Sequence, residues 1–319
     1  LRKLKIRRHP ISPVSVGDQL TIKLEIENPT SNPQTLLQIK DLLPYVLSQP
    51  MQTPVDVIPP KTLHPWVYYP TTGRRGVYKW HEVQLRSATP LGLFWCRRSQ
   101  NIPTRAIVYP QVLPLRYCPL VDKIGQEDSN KFQSDRRYQA ATEGITRALR
   151  PYRQGDPTRL IHWRTSARFG ELQVRELETI TGGQEIIICL DSAFSWEEDS
   201  FEEAVIAAAS LYFYASRCQL NVRLWTASTG LLHGNRVVLE TLAATQAGEE
   251  SKKVYLPKLP LILLTQNPSK LNSLPLGSCW VFFPPASSKD SPSVVNSQFP
   301  GLVIKPEETL QKQLQQQVR

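Results

Sequence analysis

The chain has 319 residues, 40% of them hydrophobic and 21% charged, which is enough apolar content for a core in each of two ordinary domains and excludes wholesale disorder. Its formal charge of +10 is concentrated: residues 1–10 carry five Lys/Arg and no acid, and residues 136–168 carry eight Arg against Glu143 and Asp156. No helix-turn-helix, zinc-finger or RNA-binding aromatic pattern accompanies that charge, and no apolar run is long enough to span a bilayer. Five cysteines without a CxxC pair suit a reducing compartment, and Cys189 and Cys218, at the ends of apolar patterns, are expected to be small buried hydrophobes.

The sequence opens at Leu1 on the basic cluster LRKLKIRRHP. Two readings stand for it: the cytoplasmic flank of a membrane helix preceding Leu1, placed there by the positive-inside rule, or an ordinary basic terminal strand. From there DQLTIKLEIEN alternates, with Leu20, Ile22, Leu24 and Ile26 on one face. TLLQIKDLL, HPWVYYP, GVYKWHEVQL and TRAIVYP read as further strands between Pro- and Gly-containing turns. Residues 1–118 are therefore expected to form an immunoglobulin-like β-sandwich of about seven strands.

Residues 119–145 are polar and poor in β-branched residues, as in a linker or mobile loop, and with the basic segment that follows they make a connecting region over 119–183. Within it, YRQGDPTRLIHWRTSAR (152–168) packs arginines around a His-Trp pair. Asp156 followed by Pro157 has the form of an N-cap with proline at the first helical position, predicting a short helix over 157–167. That helix would place Arg159, His162, Trp163 and Ser166 on one face, with Gly155 supplying a backbone conformation other residues resist. ELQVRELE then reads as a strand.

From residue 184 the pattern changes. QEIIICLD is a continuous apolar run ending in Asp191, as in a strand buried on both faces of a parallel sheet. Ser200 and Glu203 form a capping box ahead of an amphipathic helix carrying Phe201, Ala204, Val205, Ala208, Leu211, Tyr212 and Ala215 on one face. NVRLWTA, LPLILLTQ and CWVFFPP are further strands, with helices at RVVLETLAATQA and EETLQKQLQQQV. The alternation predicts a doubly wound α/β domain over 184–319, and a multidomain α+β chain overall.

The arginines of the motif have two readings. They pair with Glu171, Glu176, Glu178 or Asp156 while Trp163 plugs a join between domains, or they form a docking face for an acidic partner, for which arginine's planar fork is suited. The segment's surplus of +6 leaves charge for a partner.

The order Arg150, Tyr152, Arg153, Gly155, Asp156, Arg159, Ile161, His162, Trp163, Ser166, Ala167 and Arg168 resembles the signature of the bacterial domain of unknown function 58 family. The likeness continues through GELQVRELE to Asp191, and GRRGVYKWHEVQLRSATPLGLF (73–94) resembles that family's upstream segment. The resemblance implies an N-terminal membrane hairpin, a β-sandwich and a von Willebrand factor type A-like α/β domain. It also implies a MoxR-type AAA+ ATPase as partner, with the soluble part on the cytoplasmic side of the inner or plasma membrane.

Type A domains hold Mg²⁺ through D-x-S-x-S at the carboxyl end of the first strand, hard oxygen ligands suiting a small cation. Here Asp191 and Ser195 match, Ala193 offers no oxygen, and the loop after LILLT, QNPSK, has no acid; Ser192 is a substitute only on a different loop path. No bound cofactor is expected, Mg²⁺ at Asp191 and Ser195 being the alternative. His9, His64, His81, His162 and His233 form no metal-spaced pair, and no GxSxG, P-loop or GxGxxG follows a strand. The expected function is a non-enzymatic, membrane-tethered scaffold or adaptor for a MoxR-type ATPase or its client. A metal-dependent ligand-binding type A domain is the alternative, and binding of nucleic acid or anionic lipid through the basic patches is a third reading.

Overall fold

In the computed structural model, residues 1–88, 94–124, 145–152, 158, 161–178, 185–250, 257, 259–285 and 297–316 are described, with backbone only at 145–150, 168–169 and 175–178. They form an α+β chain of several sheets and few helices with a β-rich N-terminal region. The chain divides into two compact units, one of residues 1–113, 192–210 and 226–252, the other of residues 114–191, 211–225 and 253–319.

The first unit is built on eight strands: β1 (Lys5–Arg8), β2 (Val14–Ser15), β3 (Ile22–Asn28), β4 (Gln34–Asp41), β5 (Met51–Ile58), β6 (Thr62–Tyr68), β7 (Gly76–Ser87) and β8 (Cys96–Tyr109). They make a three-stranded sheet, β1-β3-β6, and a five-stranded sheet, β2-β8-β7-β4-β5. Alternation in β3 buries Ile22, Leu24 and Ile26 against Ile39 of β4, Val83 and Leu85 of β7 and Val108 of β8, so the two sheets share one core. Prolines fall where a ladder tolerates them. Pro54 lies on the edge strand β5, and Pro103 sits at the register shift where β8 spends an extra residue opposite β7 between Trp80 and Glu82. The basic first strand is part of this core. Leu4 and Ile6 point inward, and Arg8 also turns in, its Nη2 donating to both oxygens of Asp41 at 2.8 Å.

The same unit includes the first half of α3 (Glu198–Arg217), the short β13 (Gly230–Leu232) and α4 (Asn235–Ala244), which lies against β7 and β8. Helix α3 begins two residues before Ser200, so Ser200 and Glu203 lie inside its first turns and do not form the expected capping box; Glu198 and Asp199 supply the acidic first turn instead.

In the second unit, residues 119–124 form a helix, α1, where a linker was expected. It is anchored: the Tyr214 hydroxyl donates to Asp122 at 3.1 Å, and Arg217 donates to the Leu115 carbonyl while lying over the Tyr214 ring. The rest of the expected linker, 125–144, lies outside the described residues. Next come β9 (Ile145–Pro151), α2 (Trp163–Phe169) and β10 (Gln173–Glu178), with β9 and β10 paired antiparallel. β11 (Glu185–Leu190), β14 (Leu261–Thr265), β15 (Cys279–Phe282) and β16 (Gly301–Val303) pair in parallel in that order, with β12 (Asn221–Thr226) on the other side of β11. The residues of β11, β14 and β15 are almost wholly buried, as the unbroken apolar runs require. A 3₁₀ turn (Pro268–Asn272) follows β14, and a short helix, α5 (Leu310–Leu314), stands near the end. Cys118, Cys189 and Cys279 are buried, whereas Cys218, expected inside, is exposed, because it lies beyond the last turn of α3. No helix among the described residues is long and apolar enough to cross a membrane.

Candidate functional site

The basic motif is organised differently from the helix its Asp-Pro signal predicted. Ile161 is bridged antiparallel to Val174 of β10, so the chain is still extended there and α2 starts only at Trp163. Its N-cap is His162, whose Nδ1 accepts from the Thr165 N–H at 3.2 Å and lies 2.7 Å from the Thr165 hydroxyl. An N-cap needs an acceptor aimed at the first free N–H groups, and a ring nitrogen with a free lone pair can supply one. The helix ends at Gly170, whose left-handed backbone (φ 73°) lets its N–H reach the Ser166 carbonyl.

Ser166 is buried and ties three pieces together: its hydroxyl donates to the His162 carbonyl at 3.0 Å and accepts from the Gln173 N–H at 2.9 Å. The His162 N–H donates to the Gln173 carbonyl, and the Tyr152 N–H to that of Leu172. His162, Ser166 and the Tyr152 backbone are thus internal fasteners that fix α2 on the β9–β10 hairpin. Trp163 faces out. It is 65% exposed and followed by the exposed Arg164. Arg150 stands opposite Val174 in the β9–β10 register, and Arg168 lies in α2. Arg153, Gly155, Asp156 and Arg159 fall outside the described residues, as do the side chains of Arg150 and Arg168.

At the carboxyl end of β11, Asp191 is 2% exposed and its two oxygens are engaged separately. The Lys270 ammonium lies 2.8 Å from Oδ1, and the Thr265 hydroxyl donates to Oδ2 at 2.8 Å. Lys270 comes from the 3₁₀ turn after β14, the QNPSK segment that has no acid. The neighbouring Cys189 thiol is held well above its ordinary pKa, first by burial and then by Asp191, and is a packing residue. Ser192 is buried, its hydroxyl accepting from the Ala227 N–H at 3.0 Å, and Ser195 is exposed. These residues do not fit the Mg²⁺ that the type A resemblance implies. A fixed ammonium already neutralises Asp191, Ala193 brings no oxygen, and no group of three or more His, Cys, Asp or Glu that could hold a metal exists among the described residues. Mg²⁺ or a chelator is therefore expected to leave the parent's melting temperature unchanged. Lys270→Ala is expected to cost about 2 kcal/mol, below the range for a fully buried pair because the lysine is partly open to water. A rise in the parent's melting temperature with Mg²⁺ would overturn this assignment.

Two charge nodes escaped sequence reasoning. Arg75, in the Arg74-Arg75-Gly76 turn before β7, has a side chain only 5% exposed. Its Nε and Nη2 reach the two oxygens of Glu202 on α3 at 2.8 and 3.0 Å, and its Nη1 donates to the carbonyls of Leu242 and Thr245 at 2.6 and 2.8 Å. It also lies over the Phe201 ring, 5.4 Å from the centroid. Burial pulls the Arg75 pKa down, and Glu202 opposes that pull. The second node is Asp41 in the β-rich core, which receives Arg8, the Tyr68 hydroxyl and the Trp80 indole N–H. Burial pushes its carboxyl up, while Arg8, Tyr68 and Trp80 draw it back down. The only advance signal for either was an arginine in a strand or turn context, which names no partner.

A capped helix fastened to the β9–β10 pair and followed by a buried parallel sheet, on a chain with a β-rich N-terminal region, defines the class of protein: an α+β chain of several sheets and few helices. Residues 148–235, which include α2 and β10, match the family model described as Protein of unknown function DUF58. An uncharacterised Bacillus subtilis (strain 168) protein, YeaD, is 24% identical over 202 residues, 61% of this chain and 48% of the relative. The chain therefore spans about half the length of the curated relative it matches. Among solved structures, a β-glucosidase from Listeria innocua is 8% identical with a TM-score of 0.17, over 31% of this chain and 16% of that one. A GH20 exo-β-N-acetylglucosaminidase from Vibrio harveyi is 8% identical with a TM-score of 0.24, over 82% and 57%. Likeness at that level defines neither fold nor activity.

Proposed function

We propose that the chain is a non-enzymatic scaffold, tethered at the cytoplasmic face of the membrane, whose α2 face docks a MoxR-type AAA+ ATPase or its client. One observation carries the reading: Trp163, 65% exposed, stands beside the exposed Arg164 on a helix held at both ends by His162, Ser166 and Gly170. A large aromatic kept in water beside an arginine, on a rigid support, has the character of an interface anchor. The family resemblance supplies the partner class and the membrane tether. We read the second unit's parallel strands, with β12 and β14 flanking β11 and Asp191 at its carboxyl end, as a doubly wound type A-like sheet, and the β-rich region as an immunoglobulin-like sandwich.

The test is capture of the MoxR-like ATPase from the same genome by this chain, with and without nucleotide, set against a Trp163→Ala, Arg164→Glu variant. Both substitutions are on exposed side chains, so near-native melting is expected. Capture by the parent and at least tenfold weaker capture by the variant supports the reading, since interface anchors cost about 2 kcal/mol or more when truncated. Equal capture by both moves the contact away from α2, and no capture by the parent removes the adaptor reading.

A further inference from the structure

The described part of the chain after residue 93 begins with Phe94 and Trp95, 85% and 58% exposed, and runs straight into β8 as Cys96, Arg97 and Arg98. Two adjacent aromatic side chains held in water at the end of a strand cost free energy that folding does not recover. The arginines beyond them are just as unusual. Arg97 stands directly opposite Arg86 of β7, and like charges at opposed positions of an antiparallel pair repel. The Nε of Arg86 is buried without a hydrogen-bond partner among the described residues. Arg98 turns to the other side of the strand, where with Arg2, Lys3, Lys5 and Arg7 it lines a shallow groove of about 910 Å³ whose lining contains no carboxylate. Of the acids facing β1 from β3, Glu25 is already engaged by His9 and Lys23, which leaves Glu27 opposite Lys5.

We propose that this end of the β7–β8 pair is a peripheral contact for an anionic bilayer surface, with Phe94 and Trp95 entering the interface and Arg86, Arg97 and Arg98 binding lipid phosphates. Aromatic rings with an apolar body settle at the headgroup level of a membrane, and guanidinium groups pair with phosphate oxygens in bidentate fashion. An anion between Arg86 and Arg97 turns their mutual repulsion into a shared site. Single-stranded nucleic acid fits less well: it requires aromatic faces inside the basic groove for bases to stack on, and Phe94 and Trp95 are not among the groove's lining residues. The proposal uses no residue of α2, so it stands or falls independently of the docking reading.

The experiment is flotation of the full chain with vesicles of phosphatidylcholine alone and of phosphatidylcholine mixed with phosphatidylglycerol, at low and high salt. Two variants are compared after their melting has been matched to the parent: Phe94→Ser with Trp95→Ser, and Arg97→Ser with Arg98→Ser. Each cation near an anionic surface is worth about fivefold in partitioning, so the arginine variant is expected to lose about 30-fold. The aromatic variant is expected to lose binding as well, and the parent to ignore neutral vesicles and to detach at high salt. Binding unchanged in both variants, equal binding to neutral vesicles, or binding of inorganic phosphate or a single-stranded oligonucleotide without vesicle binding would each overturn the proposal.

Discussion

Arg75→Ala is expected to destabilise the first unit by about 3 kcal/mol, the low end of the range for removing one partner of a buried ion pair. Its side chain is 5% exposed and satisfies four acceptor atoms from two elements: both oxygens of Glu202 on α3, the carbonyl of Leu242 in α4 and that of Thr245 just beyond it. Alanine leaves those carbonyls without a donor and Glu202 without its counter-charge. Glu202 is 31% exposed and regains some hydration, which keeps the loss at the lower bound. Arg74 provides the control one residue away. It pairs with Glu198, but the two side chains are 46% and 71% exposed, so Arg74→Ala is expected to change stability by less than about 1 kcal/mol. Arg75→Lys keeps the charge and loses the fork, and is expected to recover less than half of the loss. Urea denaturation followed by tryptophan fluorescence reads all three. Equal effects at Arg74 and Arg75 would show that the node contributes nothing specific.

The node explains why the sequence was legible in one way and opaque in another. Periodicity reports burial, and wherever burial followed it the strands were readable: β3 from Leu20, Ile22, Leu24 and Ile26, and β11 from its unbroken apolar run. Where a charged residue points inward, or a proline occupies an edge, that rule misleads. For β1 an ordinary basic strand was one of two readings, but nothing in its sequence announced that Arg8 turns inward, because only its distant partner Asp41 makes that position a core position. β5 is obscured by Pro54, tolerated only because the strand has one neighbour. At the motif, a helix was expected over 157–167; Asp156 and Pro157 lie outside the described residues, and among those described Ile161 pairs with Val174 and the helix starts only at Trp163, capped by His162. Histidine ranks low as a cap by composition, so nothing local announced it. For the motif arginines a clamp was one of two readings, the other being a docking face. A clamp exists at Arg75, and its acid lies 127 positions away, where many glutamates competed on paper.

Asp41→Asn is expected to have the largest effect of any single substitution proposed for this chain, about 3–5 kcal/mol. The reason lies with Arg8 more than with Asp41. Arg8 and Asp41 side chains are 2% and 0% exposed, and the guanidinium Nε and Nη1 are buried with no hydrogen-bond partner among the described residues. All of its compensation comes from the Nη2 contact with the Asp41 carboxylate and from the Trp80 ring, 5.2 Å away. Asparagine preserves the shape, leaves a single carbonyl to accept from Arg8, Tyr68 and Trp80, and strands a full positive charge in the core. If that charge is the cost, removing it must restore stability. Arg8→Met combined with Asp41→Leu is therefore expected to recover more than half of the loss, since apolar replacement of a buried pair is often close to neutral. Recovery stays incomplete because Tyr68 and Trp80 lose their acceptor, and adding Tyr68→Phe should return part of the remainder. The cycle is read by urea denaturation. If Asp41→Asn lies within about 1 kcal/mol of the parent, the pair is weakly coupled. The inward arginine would then be tolerated by the core without being held by it, and β1 would have to be fastened by Leu4, Ile6 and its ladder with β3 alone.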